Sequence, residues 1–167
     1  MLRWAGLEVR VLDGGLRAWV ASGRGLETDE PDAAPGRPLV LTTGHLPTLD
    51  VDEVAAFDGV LIDVRGPARY RGEVEPIDPK AGHIPGAVNR PVTGFWDADG
   101  LLPPPDALAD LLALPEGRPV AVYCGSGVSA AQVVLALASL GVDAALYPAS
   151  WSGWSSDPGR PVATGAE

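Results

Sequence analysis

The residues best suited to covalent chemistry lie in the segment CGSGVS, which spans positions 124–129 and contains the only cysteine of the chain. The glycines at 125 and 127 allow backbone conformations that other residues avoid, so the loop can turn with its N–H groups pointing inward. A helix predicted to begin near Ser129 would direct its positive end to the same point. These features favour the anionic, nucleophilic form of the Cys124 thiol. The alternative is an inert cysteine buried after a strand.

The elements that must position this loop follow from an alternation of apolar runs and helix-like segments, which predicts an α/β fold with a largely parallel central sheet. The predicted strands are 7–12, 59–65, 118–123 and 143–147, with a further brief strand allowed at 38–42. The predicted helices are 15–23, 50–57, 104–114 and 129–140, with a helical turn at 67–72. Ligand sites in such sheets lie beyond the carboxyl ends of the strands, where Cys124 is expected.

Composition restricts the classes of partner. The chain has 167 residues, with 22 acidic and 12 basic side chains and a net charge of −10. It lacks a Lys/Arg-rich cluster, so we expect no nucleic-acid partner. Its longest apolar stretch, 133–140, is too short to span a bilayer, so we expect no membrane partner. The start of the chain lacks a signal-peptide pattern, and a cytoplasmic location is expected. A single cysteine forms neither an intrachain disulfide nor a multi-thiolate metal site.

Three motifs occur along the chain in the order GHIPGAVN (82–89), CGSGVS (124–129) and LYPASWSGW (146–154). Together they resemble the catalytic domain of the rhodanese-type sulfurtransferases, and the resemblance covers about 39–161. The cysteine loop is similar to that of the mercaptopyruvate branch. The resemblance implies a rhodanese-like three-layer sandwich. It also implies that Cys124, as a persulfide, moves sulfane sulfur from 3-mercaptopyruvate or thiosulfate to a thiol, cyanide or a thioredoxin-like protein. This reaction would need no metal or organic cofactor.

The same resemblance implies roles for residues of the loop and its surroundings. The backbone N–H groups of the loop would stabilise the sulfur anion, and the residues concerned are Gly125, Ser126, Gly127, Val128 and Ser129. The Ser126 hydroxyl is a candidate for proton transfer to a leaving enolate, and hydrogen bonding within the loop is the alternative. Arg69 matches an arginine that binds the substrate carboxylate, since a guanidinium forms two parallel hydrogen bonds to such a group. A surface salt bridge to Glu73 or Glu75 is the alternative for Arg69.

One position departs from the family pattern. A second carboxylate-binding arginine would fall nine residues after Arg69, where this chain has Asp78. Lys80 is a possible substitute as a positive charge, but an ammonium group does not reproduce the bidentate fork of an arginine. The preferred sulfur donor therefore stays open between 3-mercaptopyruvate and thiosulfate.

Four further residues are expected to support the site rather than react. Asp63 and Arg65 lie in a family motif at a strand end and should brace the fold by side-chain hydrogen bonds. His83, in the proline-glycine turn, is expected to form structural hydrogen bonds, with a general base as the less favoured alternative. Trp151 should close the core, with substrate stacking as the less favoured alternative.

The start of the chain indicates how the domains are organised. The segment LEVRVLDGGLRAWVASGRGLET (7–28) is similar to the end of a rhodanese domain. We therefore expect 1–28 to be the last strand and helix of an inactive N-terminal domain, 29–45 to be a linker, and 46–167 to be the catalytic domain. The alternative is a single-domain protein with an N-terminal arm.

Two other functions compete with sulfur transfer. Phosphatases and arsenate reductases that share a cysteine loop need an arginine six positions after the cysteine, and this chain has Ala130 there. Phosphate chemistry is therefore disfavoured. The second is a truncated, weakly active or inactive fragment that acts as a partner-binding module and self-associates through an exposed domain interface.

Overall fold

The computed structural model describes residues 1–29, 36 and 38–166, and its centre is a parallel sheet of four strands. In chain order the strands are β1 (Val60–Asp63), β2 (Val88–Asn89), β3 (Val120–Tyr123) and β4 (Ala144–Leu146). Their order across the sheet is β2-β1-β3-β4, and every pairing is parallel. The carboxyl ends of all four strands therefore meet at one edge, where the cysteine loop follows β3.

The described residues also form six helices and one 3-10 turn, and the first two helices precede β1. The helices are α1 (Gly15–Ala21), α2 (Val51–Ala55), α3 (Pro67–Tyr70), α4 (Pro105–Leu112), α5 (Val128–Ser139) and α6 (Ser150–Ser156), and the 3-10 turn is Val92–Gly94. Asp50 begins α2 with the expected capping box, because its carboxylate accepts from the backbone N–H of Glu53 while the Glu53 carboxylate accepts from the N–H of Asp50.

The strands separate two apolar layers because successive side chains point to opposite faces of a sheet. On one face, β1 and β3 pack against α4 and α5 through a set that includes Ile62, Val122, Leu108, Val133 and Leu137. On the other face they pack against α2, α3 and α6 through a set that includes Leu61, Tyr123, Val54, Tyr70, Trp151 and Trp154. The expected three-layer α/β sandwich is therefore confirmed.

Two predicted strands are wrong. Residues 7–12 and 38–42 contain no strand. The sheet edge beside β4 is already occupied, since Leu49 donates to the carbonyl of Leu146 and Leu146 donates to the carbonyl of Pro47. A segment with strand propensity but without a pairing partner does not form a ladder. Part of the 38–45 segment instead contacts the start of the chain, where Thr42 donates to the carbonyl of Ala5 and His45 to that of Trp4.

The N-terminal segment packs weakly on the sandwich. Helix α1 has no buried residue, and one of the bonds that tie this segment down runs from the backbone N–H of Leu102 to the carboxylate of Asp13. Exposed apolar side chains are frequent in this segment and include Val11, Leu12, Leu16, Val20 and Leu26. Of the predicted linker 29–45, residues 30–35 and 37 lie outside the described residues.

Candidate active site

Cys124 is the first residue after β3, and its sulfur lies inside the turn that connects the strand to α5. The residue is 4% exposed, and the backbone N–H of Gly127 donates to its Sγ atom at 3.1 Å. Gly127 precedes the first residue of α5 and has a φ of +83°. A Cβ atom there would stand 2.7 Å from the carbonyl oxygen of Pro148. Both the φ angle and the close approach to Pro148 therefore require glycine.

The start of α6 fixes the other side of the loop. The backbone N–H of Trp151 donates to the carbonyl of Cys124, and that of Ser152 to the carbonyl of Gly125, each at 3.0 Å. In return, the N–H of Cys124 donates to Ser150 Oγ at 3.2 Å. Ser150 is fully buried, has a φ of +52°, and donates to the carbonyl of Tyr147. The cysteine backbone is thus held at both its N–H and its C=O.

A cavity of about 300 Å³ opens in front of the cysteine. Its walls include predicted site residues, namely Cys124, Gly125, Ser126, Ser129, Arg69 and Arg65. Its other lining residues are Val64, Gly66, Ile77, Asp78, Val92 and Ser152. Of the loop residues expected to stabilise an anion, Gly127 donates its backbone N–H to the sulfur. Val128, by contrast, is 68% exposed.

Arg65 and Asp63 form a buried ion pair beneath the cavity. The Arg65 guanidinium donates from Nε and Nη2 to the Asp63 carboxylate and from Nη2 to the carbonyl of Gly82. Its Cζ atom lies 4.6 Å from the centre of the Trp151 ring. Burial would lower the pKa of Arg65, but the hydrogen bond and the charge of Asp63 outweigh it and raise that pKa. This geometry suits the bracing role predicted for the pair.

Arg69 lies in α3 and reaches the cavity with two carboxylates already attached. Its Nε donates to Glu75 Oε2 at 3.1 Å, and its Nη2 donates to Glu75 Oε1 at 2.7 Å and to Asp78 Oδ2 at 3.0 Å. The alternative stated for Arg69, a salt bridge to Glu75, is therefore present. It is not a surface pair, because the Glu75 and Asp78 side chains are 3% and 5% exposed. Glu73 pairs with Arg71 instead. A guanidinium expected to receive a substrate is therefore bound to the protein's own carboxylates.

Glu75 connects the two arginines, since it also lies 3.3 Å from Arg65 Nη1. Burial alone would raise the pKa of Glu75. The hydrogen bond from Arg69 and those from the backbone N–H groups of Asp78 and Ile77 outweigh burial, so the pKa lies below its ordinary value. Glu75 is therefore a carboxylate at neutral pH.

Lys80 does not supply the missing positive charge. Its Nζ donates to the carbonyls of Asp157, Pro158 and Arg160, at 2.7, 3.1 and 3.1 Å. It is not among the lining residues of the cavity. The ammonium group ties the chain after α6 to the 78–82 segment, because three carbonyl oxygens converge on it.

His83 and Trp151 are both fully buried behind the cavity. The Nδ1 atom of His83 lies 2.8 Å from the carbonyl of Tyr70, and the two rings stack with centroids 3.7 Å apart. The indole N–H of Trp151 donates to the carbonyl of Lys80. Neither residue is among those that line the cavity, so their surroundings suit the structural roles expected of them.

Sequence reasoning missed Ser150 and several members of the cavity wall. Ser150 lies in the quoted motif LYPASWSGW, but its left-handed backbone and its bond to the cysteine N–H have no sequence signal. Ile77, Val92 and Ser152 come from three separate segments that only the fold brings together. Across the part of the chain that the structure describes, no group of three His, Cys, Asp or Glu residues is placed to hold a metal ion. None of the helices described is long and apolar enough to cross a membrane.

The comparison with known families decides the assignment that this geometry suggests. The family model of the rhodanese-like domain matches residues 50–157, which include the sheet, the cysteine loop and all of the residues that line the cavity. The chain belongs to the rhodanese family. The rhodanese match begins at the residue that caps α2 and ends after α6, so the N-terminal segment lies outside it.

Relatives and solved structures agree with the rhodanese assignment. The chain is 48% identical over 164 residues to "Putative thiosulfate sulfurtransferase SseB" of Mycobacterium tuberculosis, covering 94% of this chain and 58% of that protein. It is 44% identical to "Probable 3-mercaptopyruvate sulfurtransferase" of Pseudomonas aeruginosa, covering 99% of this chain and 62% of that protein. The chain thus spans about three-fifths of the length of these relatives. A structure of EanB in complex with ergothioneine matches with a TM-score of 0.87 and 26% identity, over 99% of this chain and 44% of that one.

Proposed function

We propose that this chain is a sulfurtransferase that carries sulfane sulfur on Cys124. The observation that supports it most directly is the placement of the sulfur: it accepts the N–H of Gly127 and lies at the wall of a cavity that also contains Arg69. An anion on this sulfur is stabilised by the backbone N–H group and by the N-terminus of α5. The relatives named above are sulfurtransferases by name, which supports the same reaction class.

The reaction proceeds in two displacements. The Cys124 thiolate attacks the outer sulfur of thiosulfate, the S–S bond of the donor breaks, and sulfite leaves with the bonding electron pair. With 3-mercaptopyruvate the C–S bond breaks instead, and the pyruvate enolate leaves and takes up a proton, for which the Ser126 hydroxyl at the cavity wall is the proposed donor. A thiol, cyanide or a thioredoxin-like protein then attacks the outer sulfur of the persulfide and restores the Cys124 thiolate.

The test is sulfur transfer to cyanide by the purified chain with each donor, beside a Cys124→Ser variant. We expect thiocyanate to form only when Cys124 is present. Thiocyanate formation at the same rate by the variant would contradict the proposal. Ser139→Ala provides a matched control, because that hydroxyl bonds to the carbonyl of Ala136 at the far end of α5 and should leave the rate unchanged.

Self-association through the N-terminal segment is a second candidate function. It is favoured by the apolar side chains exposed on and around α1, among them Leu16 at 63% and Val20 at 48%. We propose that 1–28 is the remnant of an inactive N-terminal domain and that its exposed apolar surface pairs with a second copy of the chain. We also propose that the chain acts in the cytoplasm. Light scattering of the wild type should then give a mass above one chain, and Leu16→Glu should lower it. A wild type that stays monomeric at high concentration would contradict this function and leave sulfur transfer unaffected.

A further inference from the structure

A groove of about 730 Å³ lies beyond the carboxyl end of β4 and is separate from the cavity of Cys124. Among the residues that the structure describes, the groove and the cavity share no lining residue. We propose that this groove is a second binding site for a small alkylammonium ion, whose charged group is bound by Asp50, Glu53 and the Tyr147 hydroxyl. The proposal does not depend on sulfur transfer by Cys124.

The fold forms the groove where two neighbouring segments of the sheet end and two helices begin. Residues 47–49 lie parallel to β4, and Leu49 donates to the carbonyl of Leu146. This edge segment leads into α2 at Asp50, whereas β4 leads into α6 through residues 147–149. Ligand sites in open α/β sheets lie beyond the carboxyl ends of the strands, and the groove has this position.

The Tyr147 hydroxyl is the polar group that indicates a ligand. Tyr147 lines the groove and is 1% exposed. Within the described part of the chain, its hydroxyl has no hydrogen-bond partner. Buried hydroxyls are nearly always paired, because an unpaired one costs folding free energy. An ammonium group donates hydrogen bonds and accepts none, so it supplies a partner to the oxygen of Tyr147.

The charged side chains of the groove select a cation. The described lining includes the carboxylates of Asp50 and Glu53 and contains no lysine or arginine. The capping box of α2 uses only Asp50 Oδ1 and Glu53 Oε2. The second oxygen of each carboxylate accepts no hydrogen bond from the described residues and is therefore available to an ammonium group.

The electrostatic surroundings of Tyr147 agree with this selection. Burial raises the pKa of Tyr147, the positive charge of Arg160 lowers it, the negative charge of Asp50 raises it, and the net shift is upward. The hydroxyl is therefore protonated at neutral pH and lies within the field of the Asp50 carboxylate. Arg160 does not neutralise the groove, because it lies 2.6 Å from Asp52 and 3.6 Å from Asp157.

An anion would find few donors in the groove, although α2 and α6 begin beside it. The N–H groups of residues 52 and 53 donate to the Asp50 carboxylate, and those of residues 151 and 152 donate to carbonyls of the cysteine loop. The rest of the lining is largely apolar and suits a short alkyl chain. Its apolar members include Leu49, Val51 and Pro148.

The binding test compares three probes with the same butyl chain and different charges: butylammonium, 1-butanol and pentanoate. Each is titrated into the isotope-labelled chain and followed by NMR. We expect butylammonium to shift the amide signals of residues 48–53, 147 and 149, and to bind at least about fivefold more tightly than 1-butanol. Equal affinity for 1-butanol or pentanoate, or shifts confined to other parts of the chain, would overturn the proposal.

A pair of tyrosine variants tests the buried hydroxyl. Tyr147→Phe should weaken butylammonium binding about fivefold and leave stability unchanged, because this hydroxyl has no partner in the protein. Tyr70→Phe is the matched control, since the Tyr70 hydroxyl donates to the carbonyl of Ala87 at 2.6 Å. It should lose stability and keep the affinity for butylammonium. Unchanged affinity in Tyr147→Phe would contradict the assigned role of the hydroxyl.

A second pair of variants tests the charge. Glu53→Gln keeps an oxygen that accepts the N–H of Asp50, so the capping box is retained while the charge is removed. We expect it to weaken butylammonium binding about threefold at low salt and less at high salt. Asp106→Asn removes a carboxylate from the first turn of α4 and should leave the affinity unchanged. An equal loss in both variants would reveal a general effect of net charge and overturn the site.

A free amine and a lysine side chain of another protein present the same ammonium group. Titration with Nα-acetyl-lysine N-methylamide separates them: tighter binding than butylammonium assigns the groove to a protein lysine, and weaker binding assigns it to a free amine. Both results support the site, whereas no binding of either probe refutes it. The Cys124→Ser variant should bind butylammonium as the wild type does, so the groove and the proposed sulfur transfer are tested independently.

Discussion

The backbone N–H of Gly127 donates to the Sγ atom of Cys124 at 3.1 Å, so the sulfur is enclosed by the loop that it begins. The turn depends on the φ of +83° at Gly127 and on the contact of this glycine with the carbonyl of Pro148. On the opposite side, the start of α6 holds the cysteine loop, because the N–H groups of Trp151 and Ser152 donate to the carbonyls of Cys124 and Gly125. The position of the nucleophile is therefore set by two loops at once.

Replacing Gly127 with alanine should displace the sulfur. The variant acquires a Cβ atom 2.7 Å from the Pro148 oxygen in addition to an unfavourable φ. We expect a loss of folding free energy of more than about 2 kcal/mol and a strong reduction of persulfide formation. Chemical denaturation and donor turnover measure the two effects.

Gly141→Ala is the matched control for Gly127→Ala. Gly141 has a φ of +76°, but a Cβ atom there meets open space. This variant should lose about 1 kcal/mol from backbone strain and keep its turnover. If the two variants lost equal stability and equal turnover, the contact between Gly127 and Pro148 would have no special role.

Ser150→Ala should weaken the support of the cysteine loop. The variant leaves the buried N–H of Cys124 without its acceptor, which costs about 1–2 kcal/mol of stability. Turnover should fall as well, because the orientation of Cys124 relaxes. Ser139→Ala removes a partly buried hydroxyl of the same kind at the far end of α5 and should leave turnover unchanged. Wild-type turnover in Ser150→Ala would show that this hydrogen bond does not position the nucleophile.

The Glu75 carboxylate should make the stability of the domain depend on acid pH. Because its pKa is lower in the folded state than its ordinary value of 4.5, its contribution is fully present above that value and is lost as the pH falls through the folded pKa. Glu75→Gln should cost about 3 kcal/mol near pH 7, since it leaves the buried Arg65 and the half-buried Arg69 underpaired. The difference from wild type should shrink below pH 4.5 in urea denaturation followed across pH.

Glu73→Gln is the control for the Glu75 prediction. The Glu73 side chain is exposed, and solvent screens its pairing with Arg71. This variant should keep nearly the wild-type stability at neutral pH. A Glu75→Gln variant whose stability ran parallel to that of the wild type at all pH values would contradict the assigned role of Glu75.

Much of the sandwich could be predicted from the sequence, because its signals are local. Short apolar runs next to glycine and proline place β1, β3 and β4 within a few residues, and Asp50 followed by Glu53 marks the start of α2. The segment 7–12 shows the limit of such signals. Its alternating pattern is typical of a strand, but a strand requires a partner, and the neighbouring sheet edge is occupied by residues 47–49.

The site was predictable to the extent that its residues lie in one contiguous motif. The cysteine loop follows β3 as expected, and Arg69 lines the same cavity. The Glu75 partner of Arg69 was one of the two alternatives that the sequence left open. The burial of that pair and the second bond to Asp78 were not predictable, because they depend on how the 73–80 segment folds. In the structure, Arg69 is held by two buried carboxylates.

The most direct test of the account is intact-protein mass spectrometry of the chain after incubation with thiosulfate, followed by peptide mapping. The account predicts a mass increase of one sulfur atom on Cys124, which disappears when cyanide is added as thiocyanate forms in equal amount. The Cys124→Ser variant should show no increase. A folded wild type that gains no sulfur from either thiosulfate or 3-mercaptopyruvate would contradict the central claim that Cys124 is a sulfur carrier.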